Sequence, residues 1–433
     1  VPLGVTSLLP LALLPALGVL TVPQATAPYA NDLIFLFLAG FLLALALERW
    51  RAHERLAYAL VARTGTGGAR MLFGLMAATA ILSMWISNTA TAAMMYPIAV
   101  ALGGFAPAGA AGDRTRAALM LGIAFAASIG GLGTLIGTPP NLILAAAAHD
   151  LTGRAIGFGA YLWIGVPLVA VLLPLAWAVL VLGPARGMAG ADAGAAAAVD
   201  ERRRQLGALA GAERRVVLIF ALVALGWVLR EPKALGVVAI PGLATWAPGL
   251  SDAGIGLLGA TLLFLVPAPG APEPRALLTW DEARDLPWEV LLLFGGGLSL
   301  AAGMEASGLT ARLAQGLAGL GSFPRPVLYL ALAALVVALS ELASNTAVAA
   351  LMMPLAASLG AATGVPPLTL MVVAALAASA GFALPVATPP NAIAFGSGLV
   401  PVRMMARTGL WLDLIAILVV VLAAVLLVPL VVG

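Results

Sequence analysis

Long apolar stretches separated by short polar segments follow one another along the whole chain. Nine of them have about 17 residues or more, enough to cross the roughly 30 Å apolar core of a bilayer as a helix. Two further apolar stretches, 70–104 and 326–360, are interrupted at their centres by small polar residues. The pattern predicts an all-α polytopic membrane protein. The nine spanning stretches are 5–22, 32–48, 116–149, 157–183, 214–230, 251–268, 287–305, 365–398 and 407–431.

Composition supports this class of protein and argues against the others. Of the 433 residues, 62% are hydrophobic and 9% are charged, whereas soluble globular domains carry about 25% charged residues. The chain has no Cys and two His, so thiolate and histidine metal sites are not expected. Without a Ser/His/Asp set or a sizeable soluble domain, an enzyme is not expected either.

The distribution of Lys and Arg predicts an orientation, because cytoplasmic loops of membrane proteins are enriched in these residues. If both interrupted stretches are hairpins that return to their starting side, 17 of the 22 basic residues lie in the cytoplasm. The N-terminus is then cytoplasmic and the C-terminus outside the cell, in a plasma (inner) membrane. The basic loops also explain the pI near 9.7, so nucleic acid is not expected as a partner. The residues left outside are Arg154, Arg230, Lys233, Arg312 and Arg325.

An internal repeat relates the two halves of the chain. The segment 87–97 recurs as 344–354, with eight of eleven residues identical at an offset of 257. Thr-Pro-Pro-Asn at 138–141 recurs at 388–391, at an offset of 250. With the predicted orientation, the first hairpin opens from the cytoplasm and the second from outside. The sequence therefore predicts an inverted-topology repeat with two re-entrant hairpins, 70–104 and 326–360, and two broken helices, 116–149 and 365–398.

The repeated motifs are made of residues that begin helices. Ser, Asn and Thr are preferred N-caps, and Pro is favoured in the first turn. Four helix N-termini are thus expected at membrane depth, where their free amides attract anions. In the segments 71–112, 117–149 and 326–402 the only charged residue is Glu341. Helix ends, hydroxyls, amides and bound cations must hold an anion there, which indicates cation-coupled anion transport.

At these motifs the sequence resembles the divalent anion/sodium symporter family, which carries dicarboxylates, citrate or sulfate. The resemblance covers about residue 30 to the end. It implies a homodimer whose protomers each contain a scaffold domain and a transport domain that moves past it like an elevator. The domains implied are scaffold 1–69, transport 70–183, a cytoplasmic linker 184–213, scaffold 214–325 and transport 326–433.

The resemblance also implies the site residues. Na⁺ would be bound at a first site by Ser83, Ser87, Asn88 and the carbonyl of Gly137. A second Na⁺ site would use Ser340, the carbonyl of Ala343, Ser344, Asn345 and the carbonyl of Ala387. A divalent anion would contact Asn88, Thr89, Thr138, Asn345, Thr346, Thr388 and Pro389.

The leading interpretation is sodium-coupled uptake of a C4-dicarboxylate such as succinate, fumarate or malate. Sulfate or citrate transport and sodium-independent anion exchange stay open. A sodium/proton or arsenite-type antiporter is a further alternative, since a proton carrier needs a titratable group in the core and Glu341 is the only acidic residue in the hairpin and broken-helix segments. The counterpart of Glu341 in the first repeat is Met84, which cannot carry a proton. This difference favours a structural role for Glu341 as a hydrogen-bonded carboxyl.

Overall fold

The fold is that of a computed structural model, which describes residues 3–65, 67–186, 193–209, 211–235, 238–271, 273–284 and 286–429. Both chain ends, whose sides of the membrane the sequence predicts, lie outside these residues. So do residues 187–192 and 210 of the predicted linker.

The first half of the chain is a series of helices that includes one tight helical hairpin. A short 3₁₀ helix, Ala27–Ala30, precedes α4. The α-helices, numbered in chain order, are α1 Leu3–Thr6, α2 Leu9–Ala16, α3 Val22–Thr26, α4 Asp32–Arg49, α5 Ala52–Thr64, α6 Gly68–Ser83, α7 Asn88–Gly103, α8 Ala110–Gly131, α9 Pro139–Thr152 and α10 Phe158–Leu182.

The second half repeats this plan after a linking helix and adds a short antiparallel pair of strands, β1 Lys233–Leu235 and β2 Val238–Ile240. A second 3₁₀ helix spans Ala318–Ser322. The α-helices are α11 Ala193–Leu206, α12 Gly211–Leu229, α13 Leu243–Trp246, α14 Asp252–Leu265, α15 Trp280–Ala283, α16 Trp288–Ala306, α17 Leu309–Leu317, α18 Arg325–Leu342, α19 Asn345–Thr363, α20 Pro367–Ala378, α21 Pro389–Gly396 and α22 Val402–Leu426.

Six helical segments among the described residues are long and apolar enough to cross a membrane. The prediction of a continuous span at 5–22 is wrong, because α1 and α2 are separate and α2 has only 8 residues, about 12 Å of helix. Pro10 and Pro15 fall in this stretch, and proline disfavours a continuous helix. The six segments are Val22–Arg49, Phe158–Leu182, Trp288–Ala306, Arg325–Leu342, Asn345–Thr363 and Val402–Leu426.

The two hairpins and the two broken helices predicted from the repeat are present. α6 and α7 form the first hairpin, and α18 and α19 form the second. α8 and α9 are the two parts of one broken helix, and α20 and α21 are those of the other. The halves exchange partners, since α7 packs against α21 and α19 packs against α9. This exchange confirms the inverted-repeat fold and brings the four interrupted points together.

A glycine at the same place in α10 and α22 lets each broken helix approach closely. These two helices have 25 residues each, and Gly165 and Gly409 are the eighth residue of each. A Cβ on Gly165 would lie 2.5 Å from the carbonyl oxygen of Gly133, and one on Gly409 would lie 2.2 Å from that of Phe382. Backbone of the break therefore lies directly on the neighbouring helix, where a side chain has no room.

The linking segment between the halves is anchored by ion pairs. α11 packs against α5, where Arg202 lies 3.3 Å from Glu54. At the start of α12, Glu213 accepts hydrogen bonds from Arg55 at 2.7 and 2.8 Å. The described part of the predicted linker is thus largely a docked helix.

Substituting Gly409 tests this close approach. Gly409→Ala is expected to lower stability by about 1–3 kcal/mol, because the added methyl overlaps the Phe382 carbonyl and the break must shift. Gly396→Ala is the matched control, since a Cβ at Gly396 meets no atom within 4 Å. Thermal unfolding of the purified protein in detergent measures both; equal melting temperatures for the two variants would contradict the close packing.

Candidate anion and cation site

The four interrupted points surround one cavity of about 1060 Å³. α7, α9, α19 and α21 all begin there, so four helix N-termini are directed to the same space. Helices outside the repeat motifs close the cavity on another side, through Phe37 and Phe41 of α4 and through the first turn of α16. Residues from the motifs that line it are Ser87, Asn88, Thr89, Gly137, Thr138, Pro139, Ser344, Asn345, Thr346, Ala387, Thr388, Pro389 and Pro390.

The helix starts are capped unequally, which leaves backbone amides available. The Ser87 hydroxyl accepts a hydrogen bond from the amide of Ala90 at 3.3 Å, and the Thr388 hydroxyl accepts one from Asn391 at 3.3 Å. Ser344 and Thr138 make no such capping bond. Because the first amides of a helix have no partner within it, an anion in the cavity is a natural acceptor for them.

Oxygen atoms converge behind the tip of the first hairpin. The Ser83 hydroxyl lies 2.8 Å from Oδ1 of Asn88 and 2.7 Å from the carbonyl oxygen of Ala127. The same end of the Asn88 amide lies 3.1 Å from the Ala127 oxygen and 3.3 Å from the carbonyl oxygen of Gly137. If the amide nitrogen of Asn88 is turned to this side, it donates to Ser83, Ala127 and Gly137, and the group is satisfied without an ion. If the oxygen is on this side, one hydroxyl proton serves four oxygens, and a bound cation would complete the pairing.

The second hairpin tip repeats the arrangement. The Ser340 hydroxyl lies 2.7 Å from Oδ1 of Asn345 and 2.5 Å from the carbonyl oxygen of Ala378. Like Ser83, Ser340 is fully buried. Clusters of carbonyl, amide and hydroxyl oxygens are the ligands that hard cations prefer. Each hairpin tip therefore offers a candidate cation site next to the cavity, and the two candidates are related by the repeat.

None of the described residues that line the cavity has a basic side chain that could balance an anion. Among the described residues that line it, Glu289 is the one charged side chain. The helix N-termini supply positive potential there, and cations held by the two oxygen clusters would add to it. This arrangement agrees with the expectation, drawn from the sequence, that anion and cation bind together.

The predicted site residues lie close together in the structure, but some of them line the cavity and others lie behind it. All seven residues predicted to contact the anion line the cavity. Of those predicted to bind Na⁺, Ser83 and Ser340 lie behind the tips, and Ala343 does not line the cavity. The extended backbone of Ala343 ends α18. The other predicted cation ligands, Ser87, Asn88, Gly137, Ser344, Asn345 and Ala387, line the cavity.

Sequence reasoning missed several parts of this site. The carbonyls of Ala127 and Ala378 carry no side-chain signal, so only the three-dimensional structure could add them to the oxygen clusters. Asp413 was missed although a signal existed, because it is a buried carboxyl within the apolar helix α22, and such residues are functional or structural by default. Its carboxylate accepts a hydrogen bond from the amide of Phe382 at 2.9 Å.

Comparison with known proteins identifies the family. A family model described as "Sodium:sulfate symporter transmembrane region" matches residues 1–432. The chain belongs to this sodium:sulfate symporter family. Membership agrees with the six apolar segments, and the protein is a multi-pass membrane protein of a transporter family.

Individual proteins similar to this chain include two named transporters and one solved structure. The sodium-dependent dicarboxylate transporter SdcS of Staphylococcus saprophyticus is 40% identical over all of this chain and 83% of its own length. The transporter of the same name from Staphylococcus aureus strain MRSA252 is 38% identical with the same coverage. The solved structure of the YdaH transporter of Alcanivorax borkumensis has a TM-score of 0.59 at 16% identity, covering 93% of this chain and 86% of its own. That likeness concerns the fold alone.

Removing one hydroxyl tests the first oxygen cluster of this symporter-family protein. Ser83→Ala is expected to raise the sodium concentration that half-maximally stabilises the protein by about tenfold, because the cluster loses one oxygen that could bind the cation. Melting curves in sodium chloride and in choline chloride measure the effect.

Ser128→Ala is the control for this variant. Ser128 is also fully buried in α8, but its hydroxyl has no hydrogen-bond partner among the described residues. Its removal should leave the sodium response unchanged. Equal sodium responses of the Ser83 variant and the wild-type protein would contradict the assignment of the cluster.

Proposed function

We propose that this protein is a secondary active transporter that couples the entry of Na⁺ to the uptake of C4-dicarboxylates such as succinate, fumarate and malate. The two relatives from Staphylococcus are named sodium-dependent dicarboxylate transporters and match the whole chain. Na⁺ is the co-transported ion in this proposal, and the divalent anion is the substrate.

One observation carries the proposal, namely the pairing of two equivalent hairpin tips across a cavity without basic residues. Asn88 and Thr89 lie at one tip, and Asn345 and Thr346 at the other. A dicarboxylate has a charged group at each end, so each carboxylate meets one tip with its helix N-termini and its oxygen cluster. Thr138 and Thr388, with Pro389, complete the contacts with the anion.

The order of events follows from the electrostatics of the site. Na⁺ ions in the oxygen clusters of Asn88 and Asn345 raise the electrostatic potential of the cavity, where Glu289 is the one charged side chain among the described lining residues. The dianion then binds next to these cations, and its charge is offset by the cations and the helix dipoles. In this scheme neither ligand alone is favoured, which links the two fluxes.

The movement that carries the ligands is proposed to be an elevator motion. The transport domain comprises 70–183 and 326–433, and the scaffold comprises 1–69 and 214–325. Two features support this division: the hairpins and broken helices exchange partners across the repeat, and the cavity lies between them and α4 and α16. The resemblance further supports a homodimer, and the distribution of Lys and Arg supports a cytoplasmic N-terminus and an external C-terminus.

Uptake into proteoliposomes tests the proposal directly. Labelled succinate is expected to accumulate when an inward sodium gradient is present and to stay near background with potassium or choline in its place. Unlabelled fumarate and malate should compete. Uptake of succinate only into vesicles preloaded with a dicarboxylate would indicate exchange. If the sodium gradient drives uptake of sulfate or citrate but not of succinate, C4-dicarboxylates are not the substrate.

Substituting the two asparagines tests the site. Asn88→Ala and Asn345→Ala are each expected to reduce sodium-dependent succinate uptake by at least about a hundredfold, because each removes both a ligand oxygen and a contact with the substrate. Ser379→Ala is the control, since this buried hydroxyl has no hydrogen-bond partner among the described residues. Normal transport by both asparagine variants would show that the assignment is wrong.

A further inference from the structure

The break in each broken helix is tied to the neighbouring hairpin at equivalent positions but with different chemistry. In the first half, the Thr134 hydroxyl donates a hydrogen bond to the carbonyl oxygen of Met84. In the second half, the amide of Leu384 donates a hydrogen bond to the Glu341 carboxyl at 2.7 Å. The repeat relates Met84 to Glu341 at an offset of 257 and Thr134 to Leu384 at an offset of 250. We call these contacts the first tie and the second tie.

Each tie holds in place a residue of the break, and the backbone carbonyl of that residue accepts hydrogen bonds from two other groups of the same break. The carbonyl oxygen of Thr134 accepts hydrogen bonds from Asn141 Nδ2 at 2.7 Å and from the amide of Gly137 at 3.3 Å. The carbonyl oxygen of Leu384 accepts them from Asn391 Nδ2 at 3.0 Å and from the amide of Ala387 at 3.2 Å. Gly137 and Ala387 are the residues whose carbonyls are assigned to the two cation sites.

The other end of each tie lies next to the remaining cation ligands. Met84 follows Ser83 and Glu341 follows Ser340, the two buried serines of the oxygen clusters. Each tie thus joins the hairpin part of a cation site to the broken-helix part of the same site. Fixing the distance between ligand groups in this way is what a cation site requires, because a displacement of one ligand weakens binding.

From these contacts we propose that Glu341 is a positioning residue for the second cation site, where its side chain accepts from the break as the Met84 carbonyl does in the first. Its two carboxylate oxygens accept hydrogen bonds from the amides of Ala383 and Leu384 at 2.8 and 2.7 Å. The carboxyl is 7% exposed and touches the break rather than the cavity. Glu341 is not a ligand or a substrate contact, and it acts through the break on the Ala387 carbonyl.

This inference rests on the proposed sodium coupling and accounts for the difference between the repeats. Leu384 has no hydroxyl, so the second half lacks the donor used in the first tie. The donors of the second tie are backbone amides instead, and Glu341 supplies the two oxygens that accept from two successive amides. Asp413 extends the contact to the preceding amide of Phe382 at 2.9 Å. The antiporter alternative, in which Glu341 carries protons, makes no use of this equivalence.

A transplant of the first tie into the second half tests the proposal. Glu341→Met is expected to raise the sodium concentration for half-maximal thermal stabilisation by about tenfold, because the Ala383 and Leu384 amides lose their acceptor. Adding Leu384→Thr to Glu341→Met creates the pair found at Met84 and Thr134. This double variant should regain a sodium midpoint within about threefold of the wild type. Leu384→Thr alone is the matched control and should leave the midpoint unchanged, because Glu341 binds the backbone amide.

The first tie gives an independent test that does not depend on the folding of the Glu341 variant. Thr134→Val should raise the sodium midpoint by about tenfold, whereas Thr134→Ser keeps the hydroxyl and should stay near the wild type. The melting temperature in choline chloride is measured for every variant. A purely structural role would lower that temperature in the Val and Met variants without moving the sodium midpoint.

The outcomes separate this inference from the proposed function. If sodium does not stabilise the wild-type protein more than choline does, the proposed sodium coupling is rejected. If sodium stabilises the wild type but the midpoints of Glu341→Met and Thr134→Val are unchanged, the ties do not position the cation sites. A raised midpoint for Thr134→Val beside an unchanged one for Glu341→Met would restrict positioning to the first half and reject the role of Glu341. If Leu384→Thr does not improve Glu341→Met, the equivalence of the two ties is rejected.

Discussion

Every backbone amide and carbonyl within a bilayer needs a partner, and that constraint governs this fold more than any other. Four helices begin inside the molecule, so the chain must satisfy irregular backbone at four places far from water. It does so with buried side chains: Asn141 and Asn391 donate to carbonyls of the two breaks. The hydroxyls of Ser83 and Ser340 lie within hydrogen-bond distance of the carbonyl oxygens of Ala127 and Ala378, to which they can donate. The first amides of the four helix starts face the cavity, where an anion can accept from them.

The same constraint explains why the two halves depend on one another. A single broken helix exposes its backbone, and a single hairpin exposes its tip. When the halves are inverted and interleaved, α7 covers α21 and α19 covers α9. Close contact needs small residues at the crossing points, and a glycine occupies the eighth position of both α10 and α22. The repeat is therefore a requirement of packing as well as a trace of duplication.

The sequence was sufficient to predict those parts of the structure whose residue types and spacing recur in both halves of the chain. The triplets at 87–89 and 344–346 and the Thr-Pro-Pro-Asn motifs predicted the helix starts, since capping chemistry acts on the residues next to it. Contacts between backbone groups distant in sequence were not predictable, which is why the Ala127 and Ala378 carbonyls were missed. The failed span at 5–22 shows the converse limit: apolar composition sets where a helix can cross, whereas Pro10 and Pro15 decide whether it stays continuous.

Glu341 shows how a repeat can be read beyond its identical residues. When the residue types are compared, Met84 and Glu341 have no chemical group in common, and the carboxyl has no counterpart at this position of the first half. Compared by contact, both positions hold the residue that organises the break, one through a backbone carbonyl and the other through a carboxylate. Duplicated halves that diverge preserve the geometry of their sites, and the side chains that maintain it change together with their partners. Thr134 and Leu384 are the partners that differ here, so the difference at one position of each pair accounts for the difference at the other.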